Sequence, residues 1–320
     1  MSDPMRWGVM GTGGIAAKFA AEAPENPSGE LVAVGSRSAE RARDFADQFG
    51  IERSGDYDFL LNDQAVDAVY ISLPNSLHHP WTLRALEAGK HVLCEKPIAA
   101  DADQAVEMFD AAERAGRLLV EAFMYRAHPV IDKTIALVRG GTIGDLKLIR
   151  SHFTFNRDAD PANVRYQPDL AGGSLMDVGC YCVNLARAIA GSEPTGMQVV
   201  AHRHETGVDD YAAGVLDFGG ETLCAFTCGM TVESDRTTFI AGSQGHLELD
   251  LPWFSDGSLR IVKPDQTETI VVESRLPAYA LEAHRFATAA RDEEPPWLTR
   301  EDSIGNMRVL DALRRQAGLI

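Results

Sequence analysis

A glycine-rich segment joins the first apolar run of the chain to its first helical pattern, and it restricts the possible folds strongly. The segment has the form G-x-G-x-x-A and consists of Gly11, Thr12, Gly13, Gly14, Ile15 and Ala16. The first glycine permits a tight turn, the second lets the backbone approach a pyrophosphate, and the final small residue lets helix and strand pack closely. The helix N-terminus offers free N–H groups and a partial positive charge. Between a strand and a helix, the segment predicts a dinucleotide site rather than a purely structural turn.

The first 124 residues alternate short apolar runs with helical patterns. The runs that predict strands are residues 6–10, 31–35, 68–73, 91–94 and 118–122. The predicted helices are 15–23, 39–49 with Ser38 as its cap, 80–88, and one that Asp101 and Gln104 open and Gly116 ends. Continuous apolar strands separated by helices are typical of a parallel sheet covered on both faces. We therefore predict an α/β, Rossmann-like N-terminal domain over residues 1–124.

After residue 124 the pattern changes to short segments rich in Val, Thr and Phe, broken by Gly, Asp and Pro. Predicted strands cover 146–155, 197–202, 212–217, 223–228, 237–241, 247–250, 258–262 and 269–272, and predicted helices cover 130–139, 174–190, 278–291 and 301–315. This pattern predicts an α+β domain over 125–320 with a large, mainly antiparallel open sheet, which binds substrate. A sheet of this many strands has a larger face than the few helices of this domain can cover. An exposed apolar sheet face usually marks an interface. We therefore expect a homo-oligomer, dimer or tetramer, formed through this sheet.

Composition excludes several classes of function. The 320 residues carry a net charge of −17, which repels nucleic acid. The chain has no apolar run of about 18 residues, so we expect no membrane span. Five cysteines, an odd number, indicate reduced thiols, and the acidic residues 1–6 leave no room for a signal peptide, so we expect a cytoplasmic protein. The cysteine and histidine spacings do not match a metal site, and we predict no metal.

The end of the second predicted strand selects the dinucleotide. It reads Gly35-Ser36-Arg37-Ser38, where an NAD site usually has Asp or Glu to bind the ribose 2′-hydroxyl. A hydroxyl and a guanidinium suit a 2′-phosphate, because Arg donates charge-assisted hydrogen bonds. Ser36 and Arg37 therefore predict NADP in preference to NAD. Arg41, one turn along the helix, is either a second contact or an exposed helix charge.

Two further groups of polar residues indicate chemistry. Glu95-Lys96-Pro97 lies at the carboxyl end of a predicted buried strand, where open α/β sheets bind ligands, and a lysine there is costly to bury without a role. In the second domain Asp177 and Tyr181 are four residues apart, which places them on one face of an α-helix. An isolated pair of this kind is more often a cap and a packed aromatic residue.

Taken together, these residues resemble the family of glucose–fructose oxidoreductase, inositol dehydrogenase and rhizopine-catabolism proteins (Gfo/Idh/MocA). The resemblance covers essentially the whole chain. It rests on the G-x-G-x-x-A start, Ser72-Leu73-Pro74-Asn75 with His78, Glu95-Lys96-Pro97, the G-G-S-L-x-D-x-G-x-Y segment at 172–181, and Asn306-Met307-Arg308. Glu121-Ala122-Phe123-Met124-Tyr125-Arg126 is similar to the branch of NADP-dependent xylose dehydrogenases, 1,5-anhydrofructose reductases and dimeric dihydrodiol dehydrogenases. Tyr181 stands where inositol dehydrogenases have histidine, which argues against a cyclitol substrate.

The resemblance implies Lys96, Tyr181 and Asp177 as catalytic residues. Hydride moves between the nicotinamide and a carbinol carbon, while a proton moves between the substrate oxygen and Tyr181. A phenol with a pKa of about 10 is a poor base at neutral pH. A Lys96 cation about 4 Å away contributes about 4 kcal/mol at an effective dielectric of about 20, which equals about three pKa units. Asp177 is expected to orient the substrate or the lysine.

The resemblance also implies which side chains bind the ligands. The cofactor-binding residues are Gly11, Thr12, Gly13, Gly14, Ile15, Ser36, Arg37, Arg41, Leu73, Pro74, Asn75, His78, Glu95 and Lys96. The substrate-binding residues are Lys96, Tyr125, Arg126, Asp177 and Tyr181. Asn75 and His78 are expected to line the nicotinamide pocket, and His78 taken alone is as readily a packing residue.

The expected function is NADP-dependent hydride transfer to or from a sugar, either an aldose such as xylose or glucose or a related ketose or anhydro sugar. One alternative within the same class is a dihydrodiol or dicarbonyl reductase. A second alternative is a catalytically silent NADP(H)-binding regulator. The presence of Lys96, Asp177 and Tyr181 together argues against the regulator.

Overall fold

The computed structural model describes residues 4–254 and 257–320. These residues form two compact units. One contains the chain up to Ala127 together with Arg275–Ser303, and the other contains His128–Ser274 together with Ile304–Ile320. The expectation about a signal peptide concerns in part residues 1–3, which lie outside the described residues. Within the described ranges, no helix combines the length and the apolar content needed to cross a membrane.

The first unit contains a six-stranded sheet in which every neighbouring pair is parallel. Its strands are β1 (Met5–Met10), β2 (Gly29–Gly35), β3 (Arg53–Gly55), β4 (Ala68–Ile71), β5 (His91–Glu95) and β6 (Leu119–Ala122). The order is β3-β2-β1-β4-β5-β6. This is the order of dinucleotide-binding sheets, and it reverses between β1 and β4, where such sheets bind their ligand. The predicted Rossmann-like fold is confirmed.

The helices of this unit are α1 (Gly14–Glu22), α2 (Ala39–Phe49), α3 (Tyr57–Asn62), α4 (His78–Glu87), α5 (Ala102–Ala115) and α6 (Met124–Ala127). The four that the sequence predicted, α1, α2, α4 and α5, begin and end within two residues of their predicted bounds. The Ser38 side chain accepts from the Arg41 N–H at 3.3 Å, and Asp101 accepts from the Gln104 N–H at 2.8 Å. These N-caps satisfy backbone donors that the helix itself leaves without a partner. The short strand β3, the six-residue helix α3 and the four-residue helix α6 were not predicted.

The second unit contains an eight-stranded sheet and the helices that cover one of its faces. Its helices are α7 (Pro129–Arg139) and α8 (Cys180–Ala190), and its strands are β7 (Leu146–Thr154), β8 (Gly196–Arg203), β9 (Asp209–Asp217), β10 (Leu223–Gly229), β11 (Thr238–Gly242), β12 (His246–Leu249), β13 (Ser258–Lys263) and β14 (Gln266–Val271). The order is β14-β13-β12-β11-β7-β10-β9-β8. Only the β7–β10 pair is parallel among these neighbours, so the predicted mainly antiparallel open sheet is confirmed.

Alternation along the strands separates the two faces of this sheet. In β9 the side chains of Ala212 and Leu216 are buried, while those of Tyr211 and Val215 are exposed. Successive strand residues point to opposite faces, so one face of β9 is in the core and the other is open. Helix α8 packs on the covered face against β7 and β10.

The chain ends with α9 (Ala278–Ala290) and α10 (Arg300–Gln316). Helix α9 packs in the first unit, where the rings of Phe286 and Trp7 lie 5.0 Å apart and Glu22 accepts from the Tyr279 N–H at 2.9 Å. The division into compact units therefore differs from the predicted division at residue 124, because residues 275–303 join the N-terminal unit. The burial of Phe286 against the first strand is a long-range contact that no local pattern reveals.

Candidate active site

The glycine-rich turn after β1 has the shape that a dinucleotide requires. Gly11 has φ +112, and a β-carbon there would lie 2.9 Å from Ser72 Oγ. A β-carbon on Gly13 or Gly14, by contrast, would meet no described atom within 4 Å. Both glycines are exposed at the start of α1. The backbone therefore borders open space in front of a helix N-terminus, which fits a pyrophosphate.

The end of β2 combines a buried hydroxyl with an exposed guanidinium. Ser36 is 6% exposed, and its Oγ lies 3.4 Å from Thr12 Oγ1. The Arg37 side chain is exposed and lies beside Tyr57 of α3. Burial raises the pKa of Tyr57, and Arg37 lowers it through charge and hydrogen bonding. An exposed cation beside Ser36 fits the 2′-phosphate of NADP. Arg41 is also exposed, so both of its alternatives remain open.

Tyr57 is a residue of this site that the sequence reading missed. It begins α3, where Asp56 is the N-cap and accepts from the Phe59 N–H at 2.6 Å. Its ring also packs edge-on against Trp81 at 4.7 Å. The signal that could have found it is the Asp-Tyr-Asp start at residues 56–58, which is an N-cap followed by an acidic first turn.

A buried histidine connects the segment after β4 to the segment after β5. The His78 ring nitrogens lie 2.8 Å from the Leu73 carbonyl and 2.9 Å from the Pro97 carbonyl. The ring is fully buried, and this burial lowers its pKa to about 4. The imidazole is therefore neutral near pH 7 and donates to one of these carbonyls. Of the two alternatives for His78, burial favours the packing residue, while Pro74 and Asn75 of the same segment are half-buried.

The carboxyl end of β5 holds Lys96 in a firmly anchored loop. Glu95 accepts a hydrogen bond from the Tyr70 hydroxyl and, at 3.3 Å, from the Lys96 N–H. The Ile98 N–H donates to Glu121 at 2.9 Å, and the peptide bond between Lys96 and its proline is cis. Lys96 is half-buried, in the position where open α/β sheets place ligand-binding residues.

The two predicted substrate-binding residues of α6 lie in the interior. Tyr125 is fully buried, with its ring 5.8 Å from that of Phe123. Arg126 is 8% exposed and pairs with Asp302, with Nη1 3.0 Å from Oδ2. These two contacts lie within the N-terminal unit, and the contact of Tyr125 and Arg126 with substrate stays a prediction.

The G-G-S segment of the second unit fixes the backbone before Asp177. A β-carbon on Gly172 would lie 2.4 Å from the Arg165 carbonyl oxygen. Asp209, which is 2% exposed, accepts from Ser174 Oγ at 2.6 Å and from the Leu175 N–H at 2.7 Å. The Arg165 backbone and the Asp209 carboxylate therefore approach this segment so closely that only glycine fits.

The prediction of an α-helix from residue 174 is wrong for its first part. Leu175–Gly179 form a π-helical turn, and α8 begins at Cys180. Hydrogen bonds in a π-turn run between residues five apart, so a spacing of four no longer aligns Asp177 with Tyr181 as an α-helix would. Single π-turns inside helices occur frequently at functional sites.

Arg165 is the second residue that the sequence reading missed. Its Nε lies 2.6 Å from Asp177 Oδ2, and the two side chains are 32% and 14% exposed. Asp177, and to a smaller extent Tyr181, raise the pKa of Arg165. Arg165 therefore lies in the electrostatic environment of both predicted catalytic residues of this unit. It belongs to an Asp-, Pro- and Asn-rich loop that has no periodic pattern, so only its position seven residues before the Gly-Gly pair could have indicated it.

Aromatic rings hold Tyr181 in place. The Tyr181 side chain is 5% exposed, and its ring meets Phe153 at 5.1 Å and Trp253 at 5.8 Å, both edge-on. Trp253 is itself fixed by donating from Nε1 to the His152 carbonyl at 2.8 Å. Asn306, from the terminal motif, donates to the Cys180 carbonyl at 3.2 Å and so holds the start of α8.

The predicted site residues therefore form two groups, each within one unit. The N-terminal unit brings the glycine-rich turn, Ser36 with Arg37, and the His78–Lys96 region to the carboxyl edge of its sheet. In the C-terminal unit Arg165 pairs with Asp177, and the charge of Tyr181 also acts on Arg165. The pairing of Lys96 with Tyr181 stays a prediction. Over residues 4–254 and 257–320, no cluster of three or more His, Cys, Asp or Glu side chains is arranged to hold a metal ion.

Comparison with protein families identifies both parts of the chain. Residues 5–123 match the model of an oxidoreductase family with an NAD-binding Rossmann fold. Residues 131–248 match the model of the Gfo/Idh/MocA C-terminal domain.

Three individual proteins illustrate the similarity. The chain is 36% identical to D-xylose 1-dehydrogenase (NADP(+)) 2 of Haloferax volcanii, over 98% of this chain and 97% of that one. It is 35% identical to trans-1,2-dihydrobenzene-1,2-diol dehydrogenase of Mus musculus, over 78% and 75% of the two chains. A 3-ketoreductase from Actinomadura kijaniata, solved with NADP and TDP-benzene, superimposes with a TM-score of 0.89 at 32% identity over 98% of both chains. The chain therefore belongs to the Gfo/Idh/MocA family of oxidoreductases.

Proposed function

We propose that this protein is an NADP-dependent oxidoreductase that acts on a sugar, either an aldose such as xylose or glucose or a related ketose or anhydro sugar. The observation that carries the proposal is the setting of Tyr181. Its phenol is framed by Phe153 and Trp253 and lies in the same unit as the Arg165–Asp177 pair. The similarity to a xylose dehydrogenase and to a sugar 3-ketoreductase supports a sugar hydroxyl or carbonyl as the reacting group.

The residues of the N-terminal unit hold the cofactor. We assign the pyrophosphate to the turn at Gly11–Gly14 and the 2′-phosphate to Ser36 and Arg37, with Leu73, Pro74, Asn75, Glu95 and Lys96 beside the nicotinamide. NADP, when bound, supplies or accepts the hydride. His78 serves this region indirectly, because its buried ring lies within hydrogen-bond distance of both the Leu73 and the Pro97 carbonyl.

Tyr181 moves the proton of the reaction. In alcohol oxidation its phenolate accepts the hydroxyl proton, and in carbonyl reduction its phenol donates a proton to the oxygen. Lys96 supplies the positive charge that favours the phenolate, since an opposite charge close to an ionisable group favours its charged form. Asp177, whose side chain is 14% exposed, orients the substrate.

The test follows reduced-cofactor absorbance in both directions: NADP and NAD are supplied with aldoses, polyols and aromatic diols, and NADPH and NADH with ketoses, 1,5-anhydrofructose and dicarbonyls. We expect turnover with a sugar and NADP, and turnover at least about 100-fold lower in a matched preparation of Tyr181→Phe. Turnover restricted to diols or dicarbonyls would replace the sugar with the alternative substrate class, which the similarity to a dihydrodiol dehydrogenase favours. No turnover across the panel, together with tight NADP binding, would favour the regulator.

We also propose that the protein is a homodimer, or a larger homo-oligomer, joined through the open face of the large sheet. Val200, Tyr211, Val215 and Leu223 are 80%, 40%, 46% and 51% exposed. Val200 pairs with Ala213, and Leu223 pairs with Asp217, so the register puts all four side chains on one face of β8, β9 and β10. A sheet face that exposes several large apolar side chains is typical of a protein–protein interface.

A cytoplasmic location is the remaining part of the proposal. All five cysteines are buried and none forms a disulfide. Burial raises the pKa of the Cys182 thiol and the Cys224 thiol, the latter to about 12. Reduced, unreactive thiols are compatible with a reducing compartment.

A further inference from the structure

The contact between Arg165 and Asp177 is built into the backbone around it. The Arg165 N–H donates to Asn163 Oδ1 at 3.1 Å, and the Arg165 carbonyl accepts from the Gly173 N–H at 2.9 Å. Gly172 packs against the same carbonyl so closely that a β-carbon would lie 2.4 Å from its oxygen. The guanidinium therefore projects from a residue whose two backbone groups are both fixed. The Gly-Gly pair of the motif is the feature that makes this approach possible.

The side chain of Arg165 completes the arrangement. Its Nε reaches Asp177 Oδ2 at 2.6 Å, and its guanidinium carbon lies 6.0 Å from the centre of the Phe155 ring. A charge-assisted hydrogen bond of this length fixes both the rotamer and the charged state of the carboxylate. Asp177 therefore has one preferred orientation before any ligand binds.

This pairing has an electrostatic consequence for Tyr181. A lone carboxylate beside a phenol opposes ionisation of that phenol, because like charges disfavour each other. A guanidinium bound to the carboxylate cancels that effect. Tyr166, on the same loop, and Tyr181 on α8 act on the charge of Arg165, and Asp210 on β9 acts in turn on Tyr166.

We infer that Arg165 is a positioning residue of the active site: it holds Asp177 in its working orientation and balances the Asp177 charge beside Tyr181. This inference rests on the proposed function, in which Tyr181 moves the proton. Lys96 then acts on Tyr181 without opposition from the carboxylate. Arg165 itself contacts neither substrate nor cofactor in this assignment.

The test compares Arg165→Gln with wild type by the ionisation of Tyr181. Ultraviolet tyrosinate absorbance is titrated in each protein and in its Tyr181→Phe counterpart, and the difference reports Tyr181 among the seven tyrosines. We expect the apparent pKa of Tyr181 to rise by about one unit in Arg165→Gln. In Arg165→Lys, which keeps the positive charge, the apparent pKa of Tyr181 is expected to rise by no more than about half a unit.

The matched control is Arg157→Gln. Arg157 is exposed on the same loop, and its guanidinium carbon lies 5.9 Å from the Phe155 ring centre, as Arg165 does at 6.0 Å. Arg157→Gln removes a guanidinium that lies near the same Phe155 ring but is not paired with Asp177, so it should leave the Tyr181 titration unchanged. Equal titration of Tyr181 in wild type and Arg165→Gln, including no ionisation in either, would overturn the inference.

Kinetics provide the second measurement and separate this inference from the proposed function. In the oxidation direction, kcat of Arg165→Gln is expected to fall about 10-fold near neutral pH and to recover as the pH rises, with NADP affinity unchanged. Turnover by wild type with an unshifted kcat profile in Arg165→Gln would refute the role of Arg165 and leave the proposed function standing. A shifted Tyr181 titration in a protein that turns over no substrate would refute the proposed function instead.

Discussion

A β-carbon on Gly173 would lie 2.2 Å from Oδ1 of Asp209. The glycine has φ +112, and Asp209 at the same time accepts from Ser174 Oγ and from the Leu175 N–H. The carboxylate thus ties down the first residues of the π-helical turn Leu175–Gly179. The positions of the catalytic candidates that follow depend on this buried contact, since the turn leads directly into α8.

Replacing Gly173 with alanine is expected to lower the free energy of unfolding by more than about 3 kcal/mol, because its backbone region costs non-glycine residues about 1–3 kcal/mol and the methyl group must also displace Asp209. The matched control is Gly141→Ala in the same unit. Gly141 has φ +72, and a β-carbon there would meet no described atom within 4 Å. Gly141→Ala should therefore lower the free energy of unfolding by only about 1–2 kcal/mol. Denaturant unfolding measures both. Equal losses would contradict the role assigned to the Gly173–Asp209 contact.

The buried His78 predicts a pH dependence of stability. Burial lowers its folded-state pKa to about 4, from an ordinary value of 6.5. Because the unfolded chain binds the proton more tightly, this contribution to stability is intact above about pH 6.5 and is lost as the pH falls toward about 4. At about pH 5 the loss amounts to about 2 kcal/mol relative to about pH 7. Denaturant unfolding at both pH values measures it.

His78→Gln should remove most of that pH-dependent difference, whatever its effect on stability at neutral pH. His79→Gln is the neighbouring control, because His79 is only partly buried and pairs with Glu107 at 2.8 Å. A pH dependence that is unchanged in His78→Gln would show that other groups cause it.

Tyr181→Phe is expected to lower turnover by at least about 100-fold, which is the usual scale of a general acid–base contribution. The substitution keeps the ring that meets Phe153 and Trp253, so the local packing should survive. Affinity for NADP should barely change, because the hydroxyl acts on substrate. Steady-state kinetics and cofactor-binding fluorescence check the two parts. Turnover close to that of wild type would remove Tyr181 from the mechanism.

The sequence predicts the parts of this fold that local chemistry decides. Ser38 and Asp101 begin the helices that they were expected to begin, because an N-cap needs only a hydroxyl or carboxylate near its own backbone. The turn at Gly11 is likewise a local requirement. The π-helical turn at Leu175–Gly179 was taken for an α-helix, because its anchor, Asp209, lies more than thirty residues along the chain.

The candidate site shows the same limit. Lys96, Asp177 and Tyr181 could be named from motifs, since each motif is a continuous stretch of sequence. Arg165 and Tyr57 were missed because their importance comes from contacts. Arg165 reaches Asp177 only because an irregular loop is packed on Gly172, and Tyr57 meets Arg37 only because a six-residue helix follows β3. The loop of Arg165 carries no periodic pattern from which its conformation could be inferred.

Charges placed on the open sheet face should break the proposed oligomer. Val200→Glu with Val215→Glu puts two carboxylates among side chains that are 80% and 46% exposed in the single chain. Desolvating unpaired charges in an interface is costly, so light scattering should report a monomer for the double variant and a larger species for wild type. Ile320→Glu, at an exposed chain end, should leave the wild-type mass unchanged. A wild-type monomer at micromolar concentration would refute the oligomer.

The choice of cofactor depends on the residues after β2. Arg37 is exposed beside the buried Ser36. Neither residue is acidic, whereas an NAD site usually has Asp or Glu at this position. A charge-assisted contact to the 2′-phosphate contributes about 1.5–3 kcal/mol, which corresponds to about a 10- to 150-fold preference for NADP over NAD. Changing Ser36→Asp together with Arg37→Ala removes that contact and adds a carboxylate that repels phosphate and binds a ribose hydroxyl. The ratio of kcat/KM values for the two cofactors should therefore reverse.

Two further variants show which side chains produce the preference. Arg41→Ala tests the second arginine, which is exposed one turn along α2; a drop in the NADP preference would make it a phosphate contact, and no change would make it an exposed helix charge. Tyr57→Phe removes the hydroxyl beside Arg37 and should weaken the preference less than Arg37→Ala does, because the guanidinium keeps its charge. Arg37 and Arg41 are exposed, and Tyr57→Phe keeps the ring that packs against Trp81, so thermal unfolding should change little. Equal use of NAD and NADP by the wild-type protein would show that Ser36 and Arg37 do not select the cofactor, while Tyr181 and Lys96 would keep their assigned roles.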